Sequence, residues 1–233
     1  MNMHNQLVLD LSLHAQPTLD NFIVGRNSEL IQVLREMLAA KPKERCVYLW
    51  GNSGSGRSHL LKAMVDASRQ QHLSASYIRC GQDTEFAPGL DPLDVVAVDD
   101  VERLSGNAQI ALFNLYNHIR EGAGMLLASG ALPPAQLKLR KDLITRLSWG
   151  LVFQVHGLND EEKAQALKNH AGNRGFELPQ EAVDYLLRHG RRDMPSLLAV
   201  LDALDNYSMQ TKRPVTLPLL REIMQSQLFP GEE

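Results

Sequence analysis

The sequence predicts an α/β protein built around a P-loop, with a five-stranded parallel sheet covered by helices and a small all-helical unit after it. Three observations predict this class. A strand runs straight into a glycine-rich loop at 46–58, an apolar run closes on two carboxylates at 94–100, and the alternation of strands and helices gives way to helices alone after Gly157.

Residues 46–58 read Cys-Val-Tyr-Leu-Trp-Gly-Asn-Ser-Gly-Ser-Gly-Arg-Ser. They follow the phosphate-binding template Gly-x-x-x-x-Gly-Lys-Ser/Thr at Gly51, Gly56, Arg57 and Ser58, with arginine where lysine is usual. Glycines at 51, 54 and 56 let successive backbone N–H groups curl around a polyphosphate. Asn52, Ser53, Ser55 and His59 complete the loop, and the helix that follows adds its positive end. Ser58 is the expected Mg²⁺ ligand, and Arg57 the cation for the outer phosphates. An arginine carries the charge on a wider planar fork than a lysine. The loop therefore implies nucleotide binding with weakened hydrolysis.

Asp94-Val-Val-Ala-Val-Asp99-Asp100 suits a central parallel strand, buried on both faces, with its acids at the carboxyl end where open α/β sheets bind ligands. Asp99 is expected to hold Mg²⁺ through water, and Asp100 to orient an attacking water.

The other elements fall into order around these two. Phe22-Ile23-Val24-Gly25 is a short apolar segment, and Asn27 is expected to cap a helix with apolar residues at 30, 31, 34, 37 and 38. A helix over about 57–71 follows the loop, then a short strand around Tyr77-Ile78. Ala108 to Arg120 is amphipathic and stops at Gly122. Met125–Ala128 is the fourth strand, with Ser129 just past its end. A short helix covers 141–147, and Leu151–Val155 is the fifth strand. Asn159 before Asp160-Glu161-Glu162 is a strong helix start. Helices are expected near 160–171, 179–188 and 194–210, with a last one ending at about 228. The domains expected are a tail over 1–16, a nucleotide-binding domain over 17–157 and a helical lid over 158–233.

Composition narrows the function classes. The 233 residues are 44% hydrophobic and 22% charged, with a formal net charge of −3. That balance gives no support for a dedicated basic DNA-binding face. No apolar run reaches the ~18 residues of a membrane span, and no secretory signal is visible at the N-terminus, so a cytoplasmic location is expected. Cys46 and Cys80, both in strand-like runs, read as small buried hydrophobes rather than a disulfide.

A P-loop domain of about 140 residues followed by a helical lid resembles the AAA+ ATPases. Phe-Ile-Val-Gly-Arg-Asn at 22–27, Val-Asp-Asp-Val at 98–101 and Arg-Leu-Ser-Trp-Gly-Leu at 146–151 are similar to the bacterial replication initiator DnaA. The chain ends where that initiator's lid would end, and a Gln-Leu-x-Leu-x-Leu tail precedes the module. The combination resembles the regulatory inactivators of the initiator. The resemblance implies that Gln6, Leu7, Leu9 and Leu11 form a peptide for the groove of the sliding clamp. It implies that Ser129 is a sensor near the γ-phosphate and that Phe22, Ile23 and Val24 lie against the nucleotide base. It also makes Arg146 an arginine finger offered to a neighbour's nucleotide. ADP or ATP with Mg²⁺ is the implied cofactor. The initiator and the clamp are the implied partners, with DNA reached through the clamp, no membrane, and room for a homo-oligomer. Pro195 falls where the family carries a lid arginine, which leaves Arg191 or Arg192 as substitutes. An autonomous AAA+ ATPase such as a helicase loader, and a DNA-binding initiator paralogue, stand as alternatives.

Overall fold

The computed structural model describes residues 16–39, 44–86, 93–122, 124–191 and 193–228. They divide into two units, Gln16–Gly157 and the residues from Leu158 onward.

The first unit is a five-stranded sheet of β1 (Cys46–Trp50), β2 (Ala75–Arg79), β3 (Val95–Asp99), β4 (Met125–Gly130) and β5 (Leu151–Gln154), in the order β2-β3-β4-β1-β5. Every pairing is parallel. β1 and β3 are therefore separated by β4, and the chain crosses the sheet after β1 to reach the β2 edge. The nearly unbroken burial of β1, β3 and β4 shows that both faces of the sheet are covered. On one face α1 (Ser28–Ala39) and α2 (Arg57–Gln70) pack on Val47, Leu49, Val95, Ala97, Met125 and Leu127. On the other, α3 (Gly106–Glu121) and α4 (Lys141–Trp149) pack on Cys46, Tyr48, Val96, Val98, Leu126 and Ala128. Short 3₁₀ turns at Val101–Arg103 and Pro134–Gln136 join these elements.

Local chemistry sets the helix ends. α3 starts two residues before the expected Ala108 because Ser105 Oγ accepts the Ala108 N–H at 3.4 Å. Asn27 precedes α1 as expected, but its side chain does not cap it. It is buried, and its amide donates to Val24 O (3.1 Å) and His156 O (2.9 Å) while its Oδ1 accepts the His156 N–H (2.8 Å). The demand of two backbone groups beyond β5 outweighs a cap that exposed amides can find in water. Cys46 and Cys80 are buried and free; burial pushes the Cys46 thiol up to about 11 and the Cys80 thiol to about 12, so both stay as thiols.

The second unit has its own apolar core among α5 (Asp160–Asn173), α6 (Gln180–His189), α7 (Met194–Thr211) and α8 (Leu217–Leu228). α5 opens with a reciprocal capping box, Asn159 Oδ1 accepting from Glu162 N at 2.7 Å and Glu162 Oε2 from Asn159 N at 2.8 Å. Among the described residues no helix is long and apolar enough to cross a membrane.

Candidate functional site

The loop between β1 and α2 is shaped by three glycines. Gly54 and Gly56 have φ of 78° and 103°, which L side chains rarely adopt. A Cβ on Gly51 would lie 2.5 Å from Val155 O, and one on Gly56 would lie 2.6 Å from Phe22 Cε2. The positions are held against close neighbours, not merely flexible. No side chain caps α2, so its first-turn N–H groups remain for an acceptor outside the helix. Asn52 and Ser53 are exposed on the outside of the turn, whereas Ser55 is buried with its Oγ unpartnered.

Residues 16–27 brace this loop. Phe22 is buried, its ring centroid 5.6 Å from that of His59, and it meets Gly56 from the side. His59 Nε2 donates to Thr18 O at 2.9 Å, and burial holds the ring below its ordinary pKa, so it is neutral. Ile23 and Val24 are half-buried, and Val24 packs on the core under α1. Phe22 thus serves the loop itself, a contact that its sequence position did not announce.

Three strand ends deliver the polar groups. Asp99, 0% exposed, accepts hydrogen bonds from Tyr77 Oη at 2.7 Å and from the Ser129 and Ser58 hydroxyls. Burial, the largest single influence, pushes its pKa up; the three hydroxyls and the Arg57 charge outweigh it and hold the carboxyl below its usual range. Ser129 lies inside β4, opposite Leu49, and not past the strand end as expected; β4 runs on to Gly130 because β1 continues beside it to Trp50. Its Oγ also accepts the Asp100 N–H at 3.4 Å. Asp100 has φ 59° and heads the 3₁₀ turn. Arg57 Nη2 lies 3.6 Å from Asp100 Oδ1, and Arg79 Nε lies 3.9 Å from Oδ2. The cation of the loop is paired with the acid expected to orient water, while Arg57 Nη1 is buried with no partner. Tyr77 and Arg79 went unassigned in the sequence; the in-register pairing of Arg79 with Asp99 is what brings β2 to the site.

These residues fit a nucleotide. The glycine turn, the uncapped helix and the unpartnered Ser55 Oγ and Arg57 Nη1 are donors without acceptors, which is the complement of a polyphosphate. Ser58 and Asp99 together offer hard oxygen ligands. Among the described residues no group of three or more His, Cys, Asp or Glu could cage a metal. A Mg²⁺ at that pair would draw its other ligands from water and phosphate, as that ion usually does.

Arg146 belongs to the other face of the sheet. α4 ends at Trp149, and Gly150 passes so close to Cys46 at the start of β1 that a Cβ would lie 2.2 Å from Cys46 O. The carboxyl end of α4 therefore lies at the amino ends of the strands, whereas the loop lies at their carboxyl ends. The Arg146 guanidinium sits 4.1 Å from the Trp149 ring centroid and 5.4 Å from that of Phe113, with no carboxylate partner among the described residues and its Nε buried without a hydrogen bond.

In the helical unit, Asp193 caps α7 by accepting the Ser196 N–H at 3.0 Å, with Pro195 in the first turn. Arg191 Nε lies 3.3 Å from Asp193 Oδ2. Arg192, and Gln6, Leu7, Leu9 and Leu11 of the tail, lie outside the described residues.

Comparison with known proteins finds a family match in each unit. The family model for the bacterial DnaA ATPase domain matches residues 13–82, and that for the Hda lid domain matches residues 160–224. Among solved structures, a DNA replication initiation factor aligns at TM-score 0.68 and 22% identity, over 84% of this chain and 66% of that one. Domain III of Thermotoga maritima DnaA aligns at 0.70 and 20%, over 91% and 97%. AMPPCP-bound DnaA of Aquifex aeolicus aligns at 0.69 and 22%, over 84% and 67%. The chain thus spans about two thirds of the length of the first and third of these structures.

Proposed function

We propose that the chain, which is an Hda/DnaA-like AAA+ protein, acts as a nucleotide-bound negative regulator of replication initiation. On this reading it docks on the sliding clamp through Gln6, Leu7, Leu9 and Leu11, and it stimulates hydrolysis of ATP held by the initiator. The observation that carries the proposal is the placement of Arg146. Its guanidinium has no acid partner among the described residues, and its helix packs on the sheet face opposite α2, away from the chain's own loop.

An adenine nucleotide with Mg²⁺, when bound, would supply the negative charge that the loop's unpartnered donors lack. The loop residues Gly51 to His59 would bind its phosphates and Ser58 and Asp99 would hold the cation, while Phe22 with His59 keeps the loop in shape. Intrinsic turnover is slow on this proposal, because Asp100 is engaged by Arg57 and Arg79 instead of being free to orient water. That pairing weighs against an autonomous ATPase. Arg146 enters the partner's site as a cation for the charge that develops on the transferred phosphoryl group, an effect of roughly 10³–10⁵ in rate where such fingers act.

The test is stimulated hydrolysis of initiator-bound ATP in the presence of clamp-loaded DNA. Arg146→Ala should retain folding, nucleotide binding and clamp binding and lose stimulation; Arg146→Lys should recover little, for want of the planar fork. Undiminished stimulation by the alanine variant removes Arg146 from the mechanism.

A further inference from the structure

Among the described residues Trp149 is an aromatic side chain exposed to 51%, yet two cations are stacked on it. The Arg146 guanidinium lies 4.1 Å from the ring centroid and that of Arg120, from the end of α3, 4.6 Å. Phe113, also on α3, offers Arg146 a second ring at 5.4 Å. Arg120 and Arg146 repel one another, so their convergence on a single indole needs an attraction that the ring's electron-rich face supplies. A long arginine side chain free in solvent populates many rotamers, and ordering it on demand costs conformational entropy. Here the buried Nε and the aromatic rings already fix the stem and the plane of the guanidinium. Beside the indole lies a cavity of about 390 Å³, large enough for a few side chains, lined by Glu44, Arg45, Cys46, Tyr116, Arg120 and Trp149.

We infer that Trp149 is a positioning residue for Arg146, holding the guanidinium in the orientation it needs across an interface, with Arg120 bracing the indole. The inference rests on the reading of Arg146 as a finger acting on a partner's ATP. Trp149 itself touches no reacting atom. Its effect is to prepay the ordering of Arg146, and it is felt in the transition state and not in partner affinity.

Two experiments test it. In stimulated hydrolysis of initiator-bound ATP with clamp-loaded DNA, Trp149→Ala should lower the maximal rate by about 3- to 30-fold, the worth of one cation–π contact. The concentration for half-maximal stimulation should stay unchanged, and Trp149→Phe, which keeps a π face, should recover most of the rate. If Trp149→Ala matches the wild type while Arg146→Ala is inactive, positioning is overturned and the finger stands. If Trp149→Ala changes only the half-maximal concentration, the indole is a contact surface and the inference fails. If Arg146→Ala is undiminished, the finger reading falls first and the inference with it. The second experiment needs no activity. In a Trp50→Phe background Trp149 is the one remaining tryptophan. Its quenching by iodide relative to neutral acrylamide should fall on Arg146→Ala and again on Arg120→Ala, because both cations concentrate the anion. An unchanged ratio means that the stack is not made in solution, which overturns the inference whatever the kinetics show.

Discussion

Breaking the pair between Arg57 and Asp100 separates the two halves of the nucleotide site. The side chains are 11% and 13% exposed and 3.6 Å apart. At an effective dielectric near 20 the gross attraction is about 4–5 kcal/mol. Desolvation consumes much of it, and Arg79, 69% exposed, stays near Asp100 when Arg57 is removed. A net coupling of about 1–3 kcal/mol is left. It is measured by a double-mutant cycle of Arg57→Ala, Asp100→Asn and the double variant, in guanidinium unfolding without nucleotide. Asparagine is the right replacement because it tolerates the left-handed φ of 59° that Asp100 adopts, so backbone strain does not enter the cycle. The same variants report on function. Phosphates compete with Asp100 for the Arg57 guanidinium, so Asp100→Asn should tighten nucleotide binding while wild-type turnover stays below ~1 s⁻¹, the low end of common enzyme rates. A coupling below about 0.5 kcal/mol would show that the pair is not made. Weaker nucleotide binding by Asp100→Asn would refute the competition.

Asn27→Ala should cost about 2–4 kcal/mol in the same unfolding assay, since it strands the backbone N–H and C=O of His156; a loss under about 0.5 would mean that water replaces the amide. His59 gives a pH signature. Its folded pKa lies below its unfolded value, so its contribution is full above about 6.5 and is lost as pH falls from there through the folded pKa. His59→Gln should flatten that slope in stability measured from pH 7.5 to 5, and an unaltered slope would place its origin elsewhere. Leu9→Ala with Leu11→Ala should abolish a micromolar clamp complex and leave thermal stability almost untouched. A markedly lower melting temperature would make the tail part of the fold instead of a docking peptide.

The sequence disclosed those parts of the molecule whose physics is local. The strand before Gly51, the apolar run to Asp99 and the acidic start of α5 each announce themselves within a few residues, and the five-stranded sheet and its helical companion follow from their order. What stayed hidden depends on register or on a second element. Ser129 sits within β4 only because β1 keeps pairing beyond it, and Tyr77 reaches Asp99 only because β2 lies in register with β3. Asn27 has the residue type and the position of a helix cap, and the backbone beyond β5 claims it instead. The glycine loop was legible as a cradle, but not the reason for its two tightest positions: Gly56 is required by Phe22, and Gly51 by Val155, from opposite ends of the first unit.

The fate of the two acids shows most clearly how far a motif reaches. Asp99 and Asp100 are neighbours with the same side chain, so composition and pattern treat them alike. In the fold, strand alternation turns Asp99 inward to three hydroxyls, while the left-handed backbone at Asp100 swings the next carboxylate toward Arg57 and Arg79. An arginine at position 57 is therefore more than a poor lysine, because its longer fork is engaged by the acid it would otherwise work beside. The same residue type at position 146 has no such acid among the described residues and is held by neutral rings. Two arginines with equal charge thus differ in availability: one is neutralised beside the chain's own loop, and the other is presented on the opposite face. Exchanging those environments should exchange the behaviour. Placing an acid beside Arg146 by Phe113→Asp should suppress stimulation of the partner as fully as Arg146→Ala, through an ion pair that salt weakens. Stimulation that survives Phe113→Asp at low salt would show that availability of the guanidinium is not what sets its role.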